Sequence, residues 1–378
     1  MLHLVVIFLA VFFFSLHFAA TLYINSSFLE HFFPLSQIGF WYVAGALFNM
    51  ILFFKAPRLI NRWGVRKFLF VFLWLTLIAT IGAAFAFSPL DAAIFFIIYA
   101  ACSPMVFYAL DLMLEEHSPT KKTGEIRGIY LTLISIAIAL GPLLITIMGT
   151  EELFRAFYLA AGIILLPLIT LVYFFLRAKS HKHHSGHSLP LGLWWRKRGV
   201  RRVTLCRFIL EFFYALMTIF VPIYLHTLIG FNWTEIGVIF AIMLLPFIIF
   251  EWPAGELADK KFGEKEIMSL GFFIMLLSLV FMPYLDKNLI YWAIFLFISR
   301  IGAAFIEITT ESYFFKQVGP EDSGLISIFR LSRSFGMILG AGVGGVVIAL
   351  SPFSSIFWIL VLSSIIGWRS SRRLVDTR

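Results

Sequence analysis

The chain has 378 residues, of which 61% are apolar and only 13% are charged. A soluble domain carries roughly a quarter charged residues, so this composition excludes a soluble enzyme or binding module and requires lipid as a solvent. The formal net charge of +9 would suit nucleic-acid binding, but the positions of the basic residues exclude that partner as well.

Apolar runs follow one another along the whole chain, each close to the ~20 residues that a helix needs to cross a bilayer. Strand-like alternation of apolar and polar residues is absent. The chain is therefore predicted to be an all-α membrane protein with twelve transmembrane helices. The predicted spans, numbered 1 to 12, cover residues 3–23, 36–54, 68–88, 90–113, 128–149, 156–176, 203–225, 235–254, 267–285, 289–311, 325–350 and 353–368.

The polar loop after span 2 is repeated after span 8. Each loop has a Leu, then Asn or Asp, then a basic residue and a Gly; the residues are Leu59, Asn61, Arg62 and Gly64, and Leu257, Asp259, Lys260 and Gly263. Acidic pairs four residues apart also recur, as Asp111 and Glu115 in span 4 and as Glu307 and Glu311 in span 10. Repetition of this kind predicts a duplicated unit.

The longest polar stretch lies halfway along the chain and divides it into domains. We predict an N-terminal six-helix bundle over 1–176, a cytoplasmic linker over 177–202, a C-terminal six-helix bundle over 203–368 and a cytoplasmic tail over 369–378. The linker contains four histidines that could ligate zinc, but a solvated linker without metal is the favoured interpretation. These are His181, His183, His184 and His187.

Basic residues are concentrated on one side of the predicted membrane. Of the 30 Lys and Arg residues, 24 lie in alternate connections and the tail, whereas the opposite connections hold only Arg155 and Lys287. The positive-inside rule then predicts a multi-pass protein of the cell membrane with both termini in the cytoplasm.

At the two repeated loops the chain resembles the major facilitator superfamily of secondary transporters, whose loop pattern is G-x-L-A-D-R-x-G-R-R. The second copy matches from Gly255 with one extra residue, whereas the first has Pro57 and Asn61 in place of Gly and Asp. The resemblance implies two pseudo-symmetric six-helix bundles with alternating access, and a central cavity lined by spans 1, 4, 7 and 10. It implies no cofactor.

Span 5 resembles, in part, the glycine pattern of drug-exporting antiporters of that superfamily. Gly128, Gly141 and Pro142 fit, whereas Ala137 replaces one Gly and the final Gly pair is lost. Close helix packing would also explain these small residues. Export is slightly favoured over import.

Ionisable residues within the spans need a partner or a function, because burying one costs at least ~2.5–3.5 kcal/mol. Substrate contact is predicted for Arg300, His17, Tyr108 and Tyr214. Arg300 offers a fork of donors for a carboxylate or phosphate, and the aromatic residues suit a partly apolar molecule. Alternatively, Arg300 pairs with Glu307, and His17 is a hydrogen-bonded packing residue.

Proton coupling is predicted for Glu211, Glu307 and Asp111, because buried carboxylates can bind and release protons. A local pair between Arg207 and Glu211 is the alternative for Glu211. A third group is predicted to form interhelical contacts that close the cytoplasmic side. This gating group consists of Arg62, Asp259, Lys260, Glu115, Glu311, Arg330 and Arg333.

The sequence therefore predicts a secondary active transporter of a small organic solute, proton-coupled and more readily an exporter than an uptake symporter for a sugar or organic anion. The predicted partners are the solute, protons and membrane lipid, and we expect a monomer. The alternatives from other classes are a membrane-embedded enzyme and a non-transporting sensor.

Overall fold

The computed structural model describes residues 2–117, 123–148, 154–175, 191–258, 262–318 and 323–375. Within these ranges the backbone is helical with no β-strand, as predicted. The α-helices, in chain order, are α1 (Leu2–Leu22), α2 (Asn25–Phe32), α3 (Leu35–Trp63), α4 (Val65–Ala84), α5 (Pro89–His117), α6 (Thr123–Met148), α7 (Phe154–Phe175), α8 (Leu191–Arg196), α9 (Arg198–Ile219), α10 (Val221–Ile223), α11 (Trp233–Leu257), α12 (Glu264–Phe281), α13 (Leu289–Gln317), α14 (Ser323–Leu350) and α15 (Ser355–Arg372).

Eleven helical segments of the described chain are long and apolar enough to cross a membrane. The twelfth predicted span lies in α15, an 18-residue helix whose last turn carries Arg369 and Arg372. The all-α membrane architecture is confirmed.

Two predicted boundaries differ from the structure. The first membrane segment extends over His3–Phe32, because only a two-residue turn at residues 23–24 separates α1 from α2. The predicted linker over 177–202 ends in helical structure, since α8 is a short helix and α9 begins at Arg198. The guanidinium of Arg201 lies 4.5 Å from the centre of the Trp195 ring, so the two segments are joined by a cation–π contact.

The chain forms two compact units. The first unit comprises residues 1–184 and 232–237, and the second comprises residues 185–231 and 238–378. In the first unit α1 packs against α6 and α7, and α4 packs against α5. In the second unit α9 packs against α14, and α12 packs against α13 and α15.

The glycines of the two repeated loops have the same backbone conformation. Gly64 lies between α3 and α4 with a φ of 77°, and Gly263 precedes α12 with a φ of 93°. Side chains disfavour this left-handed region, so glycine permits the sharp turn from one helix into the next. The repeat that is visible in the sequence thus corresponds to a repeated turn.

Small residues of α14 permit close packing against α9. Gly336, Gly340 and Gly344 are spaced by four residues and therefore share one helix face. A Cβ atom on Gly336 would lie 2.6 Å from Cβ of Glu211, and one on Gly340 would lie 2.6 Å from Cβ of Ala215. Close packing thus explains the glycines on this face of α14, and the same contact fixes the backbone at Glu211.

We expect Gly336→Ala to lower the thermal stability of the purified protein. The added methyl group would force α14 away from α9, and such overpacking costs about 1–3 kcal/mol. Gly192→Ala is the matched control, because a Cβ atom there would meet nothing within 4 Å. Thermal unfolding in detergent measures both variants, and equal melting temperatures would contradict the proposed close contact.

Candidate functional site

Three carboxylates of the second unit surround one guanidinium. On α9, Arg207 contacts Glu211 one turn later, with Nη2 2.7 Å and Nε 2.9 Å from Oε1. On α13, Oε1 of Glu307 lies 3.2 Å from Nη2 of Arg207, and Oε1 of Glu311 lies 3.6 Å from Nη1. The structure therefore confirms the local pair of Arg207 and Glu211, and it extends that pair to the next helix.

The members of this cluster differ in their access to solvent. The exposed fraction of the side chain is 8% for Glu211 and 13% for Arg207, but 29% for Glu307 and 38% for Glu311. The best-paired carboxylate is thus also the most buried one. Arg207 alone faces three acidic groups, so the cluster carries an excess of negative charge unless a proton or a further cation, such as Arg300 on the far side of Tyr214, compensates for it.

Tyr214 joins this cluster to a second arginine. Its hydroxyl donates a hydrogen bond of 2.7 Å to Oε2 of Glu307. The guanidinium of Arg300 lies 5.6 Å from the centre of the Tyr214 ring and 4.8 Å from that of the Phe213 ring. Arg300 is only 2% exposed, so its charge is held between α13 and the aromatic side chains of α9.

The structure thus brings together four of the predicted site residues, Arg300, Tyr214, Glu211 and Glu307, around Arg207. Glu311, predicted as a gating residue, belongs to the same cluster. Arg207 itself was considered only as a local partner of Glu211. Its contact with α13 depends on how two distant helices pack, and no spacing within the sequence reports that contact.

His17 lies in a separate buried polar region of the first unit. Its Nδ1 is 2.9 Å from the carbonyl oxygen of Ala161, and the side chain is completely buried. A carbonyl only accepts hydrogen bonds, so the proton of the neutral ring lies on Nδ1. One turn further along α1, the hydroxyls of Thr21 and Tyr99 lie 2.6 Å apart. In this structure His17 has the hydrogen-bonded packing environment that was the alternative interpretation.

The other predicted substrate and proton residues of the first unit lie on α5. Tyr108 and Asp111 are half-buried, and the ring centres of Tyr108 and Phe53 are 5.0 Å apart. Both residues belong to the first unit, whereas the acidic cluster belongs to the second unit. The two units therefore contain separate groups of candidate residues.

The predicted gating residues have different positions. Arg62 is exposed in the last turn of α3, and Arg330 and Arg333 are exposed on α14. Asp259, Lys260 and the side chain of Glu115 lie outside the described residues, as do His181, His183, His184 and His187.

An ion pair next to the second repeated loop was missed by the sequence analysis. The carboxylate of Glu264 is 1% exposed, pairs with the ammonium of Lys316 and accepts a hydrogen bond of 3.1 Å from the hydroxyl of Ser312. Within the described ranges, no group of three or more His, Cys, Asp or Glu side chains is placed to hold a metal ion.

We expect Tyr214→Phe to weaken the link between α9 and α13 without disrupting the fold. The variant loses only the hydroxyl that donates to Glu307, and a hydrogen bond of this kind contributes about 1 kcal/mol or somewhat more when its acceptor is charged. Thermal unfolding should show a small decrease in stability. Tyr291→Phe is the control on α13 because Tyr291 is exposed, and an equal decrease in both variants would contradict the assignment.

The sequence of the chain is similar to those of known membrane transporters. The profile of the Major Facilitator Superfamily matches residues 4–250 and 203–370. Over 180 residues the chain is 24% identical to the uncharacterized MFS-type transporter YcaD of Escherichia coli O45:K1 (strain S88), covering 47% of this chain and 45% of that protein. By this alignment, the chain spans about half the length of the curated relatives it matches.

Solved structures show the same fold over the whole chain. A mutant form of the nucleoside transporter NupG superposes with a TM-score of 0.81 at 15% identity and covers 100% of both chains. A D-xylose-proton symporter superposes with a TM-score of 0.80 at 13% identity, covering 99% of this chain and 97% of that one. Together with the profile match, these similarities confirm the predicted fold of two related helical bundles. The chain therefore belongs to the Major Facilitator Superfamily, whose members are transporters and not enzymes.

Proposed function

We propose that the chain is a secondary active transporter that moves a small organic solute by alternating access and is coupled to protons. The observation that carries the coupling is the position of Arg207 among Glu211, Glu307 and Glu311. A buried guanidinium favours the ionised form of a carboxylate, but it cannot compensate for three of them. The excess negative charge makes the cluster a site for a proton.

Glu307 is the carboxylate that we assign as the proton carrier. Glu211 makes the two shortest contacts with Arg207 and remains its ionic partner, whereas Glu307 shares a guanidinium that is already occupied. Protonation of Glu307 would weaken the link between α9 and α13. Glu211 and Asp111 of α5 are the other candidates for proton coupling.

Solute binding is assigned to the residues that adjoin this proton site. Arg300 supplies a positive charge, and the rings of Phe213 and Tyr214 supply an apolar surface beside it. This combination suits an organic molecule with an acidic or strongly polar group. Within the first unit, His17 and Tyr108 are the proposed candidates for contact with the solute.

Export in exchange for protons remains our favoured direction. This preference rests on the part of the antiporter glycine pattern that span 5 retains, namely Gly128, Gly141 and Pro142. Proton-driven uptake is the second candidate, since one of the similar solved structures is titled a D-xylose-proton symporter.

The gate and the orientation complete the proposal. Arg62, Arg330 and Arg333, with Asp259, Lys260 and Glu115, would close the cytoplasmic side through ion pairs between helices. The strong bias of basic residues supports a chain that crosses the cell membrane with both termini in the cytoplasm. We propose that it acts as a monomer.

A ligand screen with a transport assay tests this function. Thermal-shift measurements on purified protein would use nucleosides, pentoses and organic anions, with Arg300→Ala as the comparison. We expect a stabilising ligand whose effect disappears in the variant. In proteoliposomes, a proton gradient directed into the lumen should drive that ligand out under exchange and in under symport. Movement that ignores the gradient would contradict proton coupling.

A further inference from the structure

A groove lies between the N-terminal part of α12 and the C-terminal part of α15. The last turn of α15 carries the basic residues Arg369 and Arg372. The volume of the groove is about 460 Å³, and its walls include Lys265 and Ser269 of α12 and Trp368 and Arg372 of α15. All of these residues belong to the second unit. The groove is separate from the acidic cluster, which α9 and α13 form.

Two cations converge on this groove. Neither Lys265 nor Arg372 forms an ion pair with any described residue. The guanidinium of Arg372 lies 5.2 Å from the centre of the Trp368 ring, which holds it against the wall. Glu266 also lines the groove and offsets one charge, so the lining retains a net positive charge. Such a basic pocket between membrane helices suits a phosphate group.

The remaining walls are apolar and lead away from the charges. Leu270 and Phe273 line the groove on α12, and Leu277 continues the same helix face. All three side chains are exposed in the absence of a membrane, and the ring centres of Phe273 and Trp368 lie 6.2 Å apart. A free phosphate ion would gain nothing from this surface, whereas a phospholipid would place its acyl chains along it.

In the first unit, the corresponding pair of helices, α4 and α7, has a different arrangement. There Arg66, at the start of α4, donates a hydrogen bond to the carbonyl oxygen of Tyr173, near the end of α7. Arg66 is therefore bonded to the backbone of its own unit, whereas Lys265 and Arg372 of the second unit line a groove.

We propose that the groove between α12 and α15 binds the phosphate headgroup of an anionic phospholipid, with Lys265 and Arg372 as the anionic contacts and Phe273 and Trp368 as the apolar wall. The inference goes beyond transport and does not depend on its coupling. That the lipid lies in the inner leaflet follows from the proposed orientation.

Native mass spectrometry of the full chain tests the site, with phosphatidylglycerol as the probe and phosphatidylcholine as the neutral comparison. We expect phosphatidylglycerol to bind more tightly, and Lys265→Ala/Arg372→Ala to weaken its binding about tenfold, because two charge-assisted contacts are lost. Lys265→Gln/Arg372→Gln serves the same purpose if the alanine variant is not stable.

The matched control is Lys55→Ala/Lys67→Ala, which removes two exposed basic residues from the first unit. Phosphatidylglycerol binding should be unchanged in this variant. Equal binding of the two lipids, or unchanged phosphatidylglycerol binding in the groove variants, would overturn the proposal. Displacement of phosphatidylglycerol by millimolar inorganic phosphate would also overturn it, since the groove would then be a site for small anions.

Discussion

Replacing Arg207 with Gln should cause the largest loss of stability and transport of any single change in the acidic cluster. The substitution leaves Glu211, Glu307 and Glu311 facing one another without a guanidinium. Removing one partner of a buried ion pair costs about 3–5 kcal/mol, and here more than one carboxylate loses its partner. We expect a large decrease in melting temperature at neutral pH and loss of transport.

The pH dependence of this variant provides the sharper measurement. Protonation of the three carboxylates relieves their mutual repulsion, so the stability of Arg207→Gln should rise as the pH falls, and the difference from the wild type should shrink. Adding Glu211→Gln should restore part of the stability at neutral pH. Arg198→Gln is the control, because Arg198 is an exposed arginine at the start of the same helix. A variant with the same pH dependence as the wild type would contradict the cluster's charge balance.

Replacing Glu307 with Gln should separate the movement of solute from the movement of protons. The amide oxygen can still accept the hydrogen bond from Tyr214, and Arg207 retains Glu211. We therefore expect the fold to survive with a cost of about 1 kcal/mol. Transport driven by a proton gradient should fall to the background level, whereas exchange of solute across the membrane should continue.

Proteoliposome assays with a radiolabelled form of the ligand found in the thermal-shift screen would measure both modes. Glu311→Gln is the matched comparison one turn further along α13, where the carboxylate is more exposed and farther from Arg207. Its effect on proton-driven transport should be smaller. If Glu311→Gln abolished the driven mode while Glu307→Gln preserved it, the proton would have to be assigned to Glu311.

Most of the helices could be predicted from hydropathy, because a bilayer requires long apolar segments regardless of how they later pack. The segment after span 1 shows where this reasoning ends. Asn25 begins α2 and is buried, although its polar side chain suggests a loop, because its Oδ1 accepts a hydrogen bond of 2.7 Å from the hydroxyl of Tyr158. That partner is supplied by α7, far away in sequence, and no local pattern indicates it.

Only part of the acidic cluster could be predicted, because residue spacing reports contacts within one helix and not contacts between helices. The spacing of four residues places Arg207 with Glu211 and Glu307 with Glu311 on their own helices. Joining the two pairs requires α9 and α13 to pack side by side. Arg300 illustrates the limit, since its contacts with the rings of Phe213 and Tyr214 also depend on this packing and no spacing in the sequence indicates them.

Infrared titration of the purified protein tests the central claim, that Glu307 binds the coupling proton, without knowledge of the solute. A protonated carboxylic acid has a carbonyl band that is absent from a carboxylate. All 21 Asp and Glu residues give this band when they are protonated, so the measurement is a comparison between variants. We predict that Glu307→Gln removes a part of the band that Glu311→Gln retains. A band that persists unchanged in Glu307→Gln would contradict the account.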